Sequence, residues 1–387
     1  MKKAWEMWLG ALALCALGAG CGGPAEKAGE GDTIKVGLFT SLTGDSANWG
    51  QATKEAVMLA IDEANAAGGV LGKKIELLIE DDMSTPERSK TVSEKLVNEF
   101  GVVALLGEVA SGNTKMGAEV AQKAGIPLIS SASTRVDLAD IGSSFNRVCY
   151  TDDFQGAACA RFALDRGWKN IALLIDRKNP YAEGLADNFR AYAKRKGANI
   201  VIEQYYQRGD AEFQSQLVKI KTANPQVVFL PGYHTEVVAI VRQARSIGLD
   251  VPFLGGDGWD NPELFQNAGK AIVGCFFSDH FTPDDPRPEA QAFVKAYQAK
   301  YGRRPEAIAA LGYDSALVLI DAIKRAGTTE PEALKKAIRD TEGFRGATGV
   351  ISIDDKGNAR KPIVMIEIQP DGAFKAIQSV EWFDPNE

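Results

Sequence analysis

The run Ile34-Lys-Val-Gly-Leu-Phe39 decides the fold. It is short, apolar and rich in strand formers, and a helical segment follows it. From Asn48 to Ala67, residues Ala52, Ala56, Leu59, Ala60 and Ala64 recur at helical spacing, and Gly68-Gly69 closes the segment. Strand-forming residues return at Lys74-Ile-Glu-Leu-Leu-Ile79. A strand joined to the next through a helix needs a crossover, so the two strands run parallel. Working outward, the alternation continues: helix Pro86 to Phe100, strand Val102 to Leu106, helix Gly112 to Ala124, strand Pro127 to Ser130.

The same grammar restarts near Thr151. Helices Asp153 to Arg166, Tyr181 to Lys196, Ala211 to Ala223 and Thr235 to Ile247 alternate with strands Ile171 to Ile175, Ile200 to Tyr205, Val227 to Leu230 and Pro252 to Leu254. The expected fold is therefore α/β, with two Rossmann-like doubly wound units in series. Three helices then run in succession, Pro288 to Tyr301, Glu306 to Ala326 and Pro331 to Asp340. A hairpin-like tail follows, Gly349 to Ile353 and Ile363 to Ile368 around a turn at Asp354 to Gly357. This tail has to pack back on the two units.

Composition narrows the function. The chain has 387 residues, 45% hydrophobic and 25% charged, which fits about two ordinary soluble domains. A net charge of -7 leaves no basic field to neutralise phosphates, so no nucleic-acid partner is expected. Only 2 His and 5 Cys occur, without a C-x-x-C pair, which argues against metal and iron–sulfur sites. No cofactor is expected. Catalysis finds no support either. There is no G-x-S-x-G elbow and no H-E-x-x-H, and the P-loop-like Gly72-Lys73-Lys74 has Ala67 for its first glycine and Lys74 for its Ser/Thr.

The first residues are an address label. Lys2 and Lys3 precede an apolar run from Trp8 to Leu17 that is too short to span a bilayer and reads as an export signal over residues 1–20. Small residues flank Cys21 as in a bacterial lipobox, where the cysteine is lipidated; the alternative is an ordinary cleaved signal with Cys21 near the cut. Residues 21–32 are small and polar, a tether. Gly18 to Gly23 spells G-x-G-x-x-G, but within the export signal it has no dinucleotide-binding context.

Ligands of open α/β sheets bind at the carboxyl ends of the strands. In the first unit those ends carry Trp49, Ala110 and Ser111, then Ala132 and Thr134. Hydroxyls and backbone N–H groups at helix starts suit an anion such as a carboxylate. In the second unit the ends carry Tyr181, Tyr233 with His234 beside it, and Asp257 bracketed by glycines. One carboxylate with aromatic faces suits an ammonium ion. Together they describe a zwitterion held between two lobes. Taken singly, Ser111 and Thr134 also fit helix caps, Asp257 a turn, Trp49 a core position, and the tyrosines core or surface.

The residues resemble those of the Leu/Ile/Val-binding-like solute receptors of branched-chain amino-acid transport. The resemblance rests on Ile34-Lys-Val-Gly with Leu42-Thr-Gly44, Ala64 to Gly69, Gly107 to Gly112, Ile126 to Ser130, Tyr181 to Leu185, Arg242-Gln-Ala-Arg245 and Ala310 to Asp314. It implies a type I periplasmic binding protein, with two lobes joined by three crossovers and closing on an amino acid by a hinge. It places residues 33–150 and 284–344 in the N-terminal lobe and 151–283 and 345–387 in the C-terminal lobe. Ser111 and Thr134, with backbone help from Ala110 and Ala132, match the positions that hold the ligand carboxylate. Asp257 matches the ammonium position, Tyr181 and Tyr233 the second-lobe aromatics, and Trp49 the bulky residue over the side-chain pocket. The implied partners are the membrane permease and ATPase of an ABC importer, with the receptor a monomer attached to the membrane only by lipid at Cys21. Departures from the family pattern are Glu108, a second carboxylate expected beside the pocket, and an Asp at 257 where some relatives carry Glu. A receptor of the same fold for an amide, urea or aromatic acid, in transport or sensing, is the alternative.

Overall fold

The computed structural model describes residues 33–386; the expected signal 1–20, the tether and Cys21 lie outside the described residues. The chain runs β1 (Thr33–Thr40), α1 (Ala47–Ala66), β2 (Lys74–Asp81), α2 (Pro86–Asn98), β3 (Ala104–Leu106), α3 (Ser111–Ala124), β4 (Leu128–Ser130) and β5 (Phe145–Arg147). It continues as α4 (Asp152–Asp165), β6 (Asn170–Asp176), α5 (Pro180–Arg195), β7 (Asn199–Tyr206), α6 (Gln214–Thr222), β8 (Val227–Phe229), α7 (His234–Ser246), β9 (Phe253–Gly255), α8 (Pro262–Ala268) and β10 (Phe276–Asp279). It ends with α9 (Pro288–Tyr301), α10 (Ala307–Ala326), α11 (Pro331–Arg339), β11 (Phe344–Gly346), β12 (Gly349–Ile353), β13 (Ala359–Arg360), β14 (Ile363–Ile368) and β15 (Phe374–Val380).

The first lobe is built on a parallel sheet of order β2-β1-β3-β4-β5. The second lobe repeats that order as β7-β6-β8-β9-β10 and adds β14 and β15 antiparallel at the β10 edge. Helices cover both faces, so the central strands are buried on each side and read as apolar runs rather than alternations. In β1, Ile34, Val36 and Leu38 face one core with Ala104 and Leu106, while Phe39 faces another with Leu105 and Leu128. In the second lobe Leu173 and Leu174 divide in the same way.

The chain passes between lobes three times, between β5 and α4, between β10 and α9, and between β13 and β14. Helix α10 returns to the first lobe and packs on α1. The approach is close: a Cβ on Gly312 would stand 3.1 Å from Thr53 Cα.

The tail differs from the expected hairpin. β12 pairs with the two-residue β13 across the Asp354–Gly357 turn, and β14 joins the second sheet beside β10. Pro362 separates the two; lacking an N–H, it cannot extend the β13 ladder. Ile351, Ile353 and Ala359 share a core with Ile34 and Val36. Residues 345–360, expected in the C-terminal lobe, thus pack with the N-terminal lobe, and the passage to the other lobe comes just before Ile363. Cys149, Cys159 and Cys275 are buried free thiols.

Candidate functional site

The repeated strand order brings equivalent strand ends face to face. Trp49 follows β1, Ser111 follows β3, and Ala132 and Thr134 follow β4; Tyr181 follows β6, Tyr233 follows β8 and Asp257 follows β9. All seven line one cavity between the lobes, together with Val109, Gly258 and Ile308. Ala110 is not among the lining residues. Its N–H donates to Glu108 Oε2 at 2.5 Å instead.

The first-lobe wall is uncharged. α3 begins at Ser111, and its N-cap is Ala110, without a side-chain cap bond. Ser111 is therefore not the cap; it lines the cavity at the start of the helix, where the Asn113 and Thr114 amides donate to the Ala110 carbonyl and the amides before them have no intrahelical acceptor. Thr134 caps no helix either: the short 3-10 turn beyond it is capped at Arg135, with no side-chain bond. Trp49 reaches the cleft because α1 starts unusually close to β1. A Cβ on Gly50 would lie 1.7 Å from the Ser41 carbonyl oxygen, so only glycine admits this approach. Trp49 is both core and cleft, since it belongs to the same buried core as Ile34 and Val36 and donates Nε1–H to the Asp260 carbonyl of the other lobe at 2.9 Å.

Glu108 does not face the cavity as expected. Its Oε1 accepts from Ser41 Oγ at 2.9 Å, and Ser41 Oγ also lies 2.8 Å from Asp82. Burial first, and the Asp82 charge second, push the Glu108 carboxyl up to about 8. It is mostly protonated at neutral pH and adds little charge behind the Ser111 wall.

The second-lobe wall carries one fixed carboxylate. Asp257 Oδ1 accepts from Gln155 Nε2 and from Tyr181 Oη, each at 2.7 Å, and Oδ2 lies 3.0 Å from His280 Nε2. A carboxylate has about four lone-pair sites. Three are taken, which leaves one toward the cavity. Tyr181 is held in turn: Asn179 accepts from its amide at 3.1 Å, and its hydroxyl accepts from the Gly258 N–H at 3.3 Å. Glycine is needed at 258, where a Cβ would stand 2.6 Å from the Gly232 carbonyl oxygen. Tyr233 stacks on Tyr181 at 5.4 Å and meets Trp49 edge-on at 5.2 Å. His234 points aside toward Glu263, at 3.8 Å, so Tyr233 is the cleft residue.

The lobes touch across the cleft. The Asp152 N–H donates to the Thr134 carbonyl at 2.8 Å, Asn48 to Glu263 at 2.8 Å, and Arg208 pairs with Asp45 at 2.9 Å. The Asp152 carboxyl sits behind Thr134, and burial pushes it up to about 8 while the Thr134 hydroxyl pulls the other way. Neither carboxyl oxygen makes a well-formed hydrogen bond.

Sequence reading missed Val109, Ile308, Gln155 and His280. Val109 lies within the Gly107 to Gly112 loop already singled out, so its place after β3 was the available signal. Ile308 opens α10 from the first-lobe side, and nothing in its local sequence marks it. No group of His, Cys, Asp and Glu among the described residues is arranged to hold a metal ion.

A profile of the periplasmic binding protein family matches residues 33–373. The chain belongs to this family. It is a solute-binding protein rather than an enzyme, and membership implies export to the periplasm. No helix among the described residues is long and apolar enough to cross a membrane. The chain is 31% identical over 334 residues to the leucine-, isoleucine-, valine-, threonine-, and alanine-binding protein of Pseudomonas aeruginosa, covering 85% of this chain and 88% of that one. Among solved structures, a leucine-binding protein LivK from Thermotoga maritima superposes with a TM-score of 0.86 at 33% identity, over 90% of this chain and 99% of that chain. LivJ of Streptococcus pneumoniae, a branched-chain amino acid transporter substrate-binding protein in complex with isoleucine, gives 0.85 at 34% identity, over 90% and 100%. The type I architecture of two lobes and three crossovers is thus shared with these periplasmic binding proteins.

Proposed function

We propose that this protein is the receptor of an ABC importer and captures an apolar α-amino acid of the leucine, isoleucine and valine class between its lobes. One observation carries the reading: an uncharged wall of donors at Ser111 and Thr134 faces a single anchored carboxylate, Asp257, across the cavity between the lobes. A zwitterion matches both walls. Its carboxylate meets hydroxyls and first-turn amides, its ammonium group meets Asp257, and its side chain meets Trp49, Val109 and Ile308. The P. aeruginosa relative and the isoleucine-bound S. pneumoniae structure support the same ligand class.

The energetics fit. A zwitterion left unpartnered on burial is costly. Hydrogen bonds to charged groups contribute roughly 1.5–3 kcal/mol each, and a handful of them, less the cost of association, reaches the ~-8 kcal/mol of a micromolar site. The permease and ATPase of the importer are the partners, and the receptor works as a monomer. Lipid at Cys21 anchors it, a reading supported by the small residues around that cysteine and the tether after it.

The test is a thermal-shift panel of amino acids on protein unfolded and refolded to strip carried-over ligand. A ligand at a thousand times its Kd adds about 4 kcal/mol of stability. Leucine, isoleucine or valine is expected to raise Tm by several degrees. A response to none of the amino acids, with benzoate or an amide stabilising instead, contradicts the reading. Incorporation of labelled palmitate, abolished by Cys21→Ala, tests the anchor.

A further inference from the structure

His280 is one of the 2 histidines in the chain. It lies on the crossover between β10 and α9, its side chain is fully buried, and its ring stacks at 3.6 Å on Tyr150, which lies on the crossover between β5 and α4. Two of the three hinge segments therefore meet at this ring. From there Nε2 reaches Asp257 Oδ2 at 3.0 Å, the oxygen that Gln155 and Tyr181 leave open.

The chemistry of this contact is specific. Burial pushes the imidazole down to about 4, so the ring is neutral at physiological pH. Nδ1 has no partner. The single ring proton is accordingly assigned to Nε2, where Asp257 can accept it. An imidazolium would cancel the carboxylate charge that an ammonium ion needs. A neutral N–H fixes the carboxylate's direction and leaves its charge intact.

We propose that His280 is a positioning residue for amine recognition, aiming the Asp257 carboxylate at the ligand ammonium group and tying that aim to the hinge segment that carries it. This rests on the reading of Asp257 as the ammonium acceptor. It also gives the short Asp side chain a rigid mount, fixed at both oxygens by residues from α4, α5 and the crossover.

Two substitutions separate the N–H from the ring. His280→Phe keeps the stack on Tyr150 and removes the donor; His280→Gln puts an amide N–H near the place of Nε2 and removes the stack. Calorimetric titration with L-leucine should show His280→Phe about 10- to 100-fold weaker and His280→Gln within about fivefold of wild type. The reverse order, with Phe tolerated and Gln weak, overturns the proposal and leaves the ring a packing element. Asp257→Asn is titrated in parallel: wild-type affinity there overturns the ammonium reading beneath, whereas loss there with His280→Phe unchanged overturns this inference alone. If His280→Phe does not fold, the imidazole ¹⁵N shifts of the wild-type protein decide. Asp257, Tyr150, Asp279 and Lys361 are the titratable groups around the ring. A neutral Nε2–H ring unchanged from pH 5.5 to 8 is expected; an Nδ1–H ring, or titration near 6.5, contradicts the proposal.

Discussion

The ends of β1, β3 and β4 and the ends of β6, β8 and β9 occupy the same places in two sheets of the same order, yet their chemistry is opposite. The first edge offers hydroxyls and amides, and Glu108, close behind Ser111, is turned inward and mostly protonated. The second edge offers a carboxylate held by three donors, none of them a cation. The backbone decides where a ligand can sit, and the residues placed just after the strands decide what it must be. On the proposed reading each edge alone meets half of a zwitterion, so a ligand with both charges gains more from closing the cleft than a ligand with one.

The most damaging way to break this comparison is to remove the charge from the second edge. Asp257→Asn is expected to weaken leucine binding by at least about 100-fold, because a buried ammonium without a counter-charge costs roughly 3–5 kcal/mol. Titration calorimetry on the folded variant reads the loss. Next come the donors of the first edge. Ser111→Ala and Thr134→Val each remove one hydrogen bond to a charged group and are expected to cost about 10- to 100-fold, with the melting temperature of the unliganded protein little changed. Equal losses at Asp257 and at Ser111 would erase the asymmetry between a wall that carries a charge and one that shares its work among several neutral donors.

The smallest effect on binding sharpens the comparison most. Glu108→Gln should change leucine affinity by less than about threefold at pH 7, since the native side chain is already mostly neutral there. Its effect lies in stability. The folded carboxyl titrates near 8 against 4.5 for the ordinary group. Between those values the native chain keeps a proton that the unfolded chain has lost, so stability falls as pH rises through the window. Denaturant melts from pH 5 to 8 should show that fall in the wild type and a shallower one in Glu108→Gln.

The cleft residues were legible because they follow strands, and strands of a doubly wound sheet announce themselves by apolar runs between helices. Ile34 to Phe39 and Ile171 to Ile175 needed only that pattern. The third crossover was not legible. Gly349 to Ile353 and Ile363 to Ile368 read as one hairpin, and only the burial of Ile351 and Ile353 in the core that holds Ile34 assigns the former to the first lobe. Lys361-Pro362 was the local signal of a break, since proline ends a ladder without saying where the chain goes next. β10 was missed because Phe276 to Asp279 is four residues long and follows no long helix. His280 was missed with it, for a histidine gains meaning only once the carboxylate opposite is known. Glu108 shows the converse. Its position was read correctly, but rotation of its side chain toward Ser41 and Asp82 depends on packing that no local pattern encodes.

The most direct measurement compares L-leucine with 4-methylpentanoate, the same molecule without its amine, by calorimetric titration of the ligand-stripped protein. Capture of a zwitterion between a neutral edge and Asp257 predicts micromolar or tighter binding of leucine and at least about 100-fold weaker binding of the des-amino acid. Comparable affinities for the two would show that Asp257 does not read the ammonium group and would contradict the account.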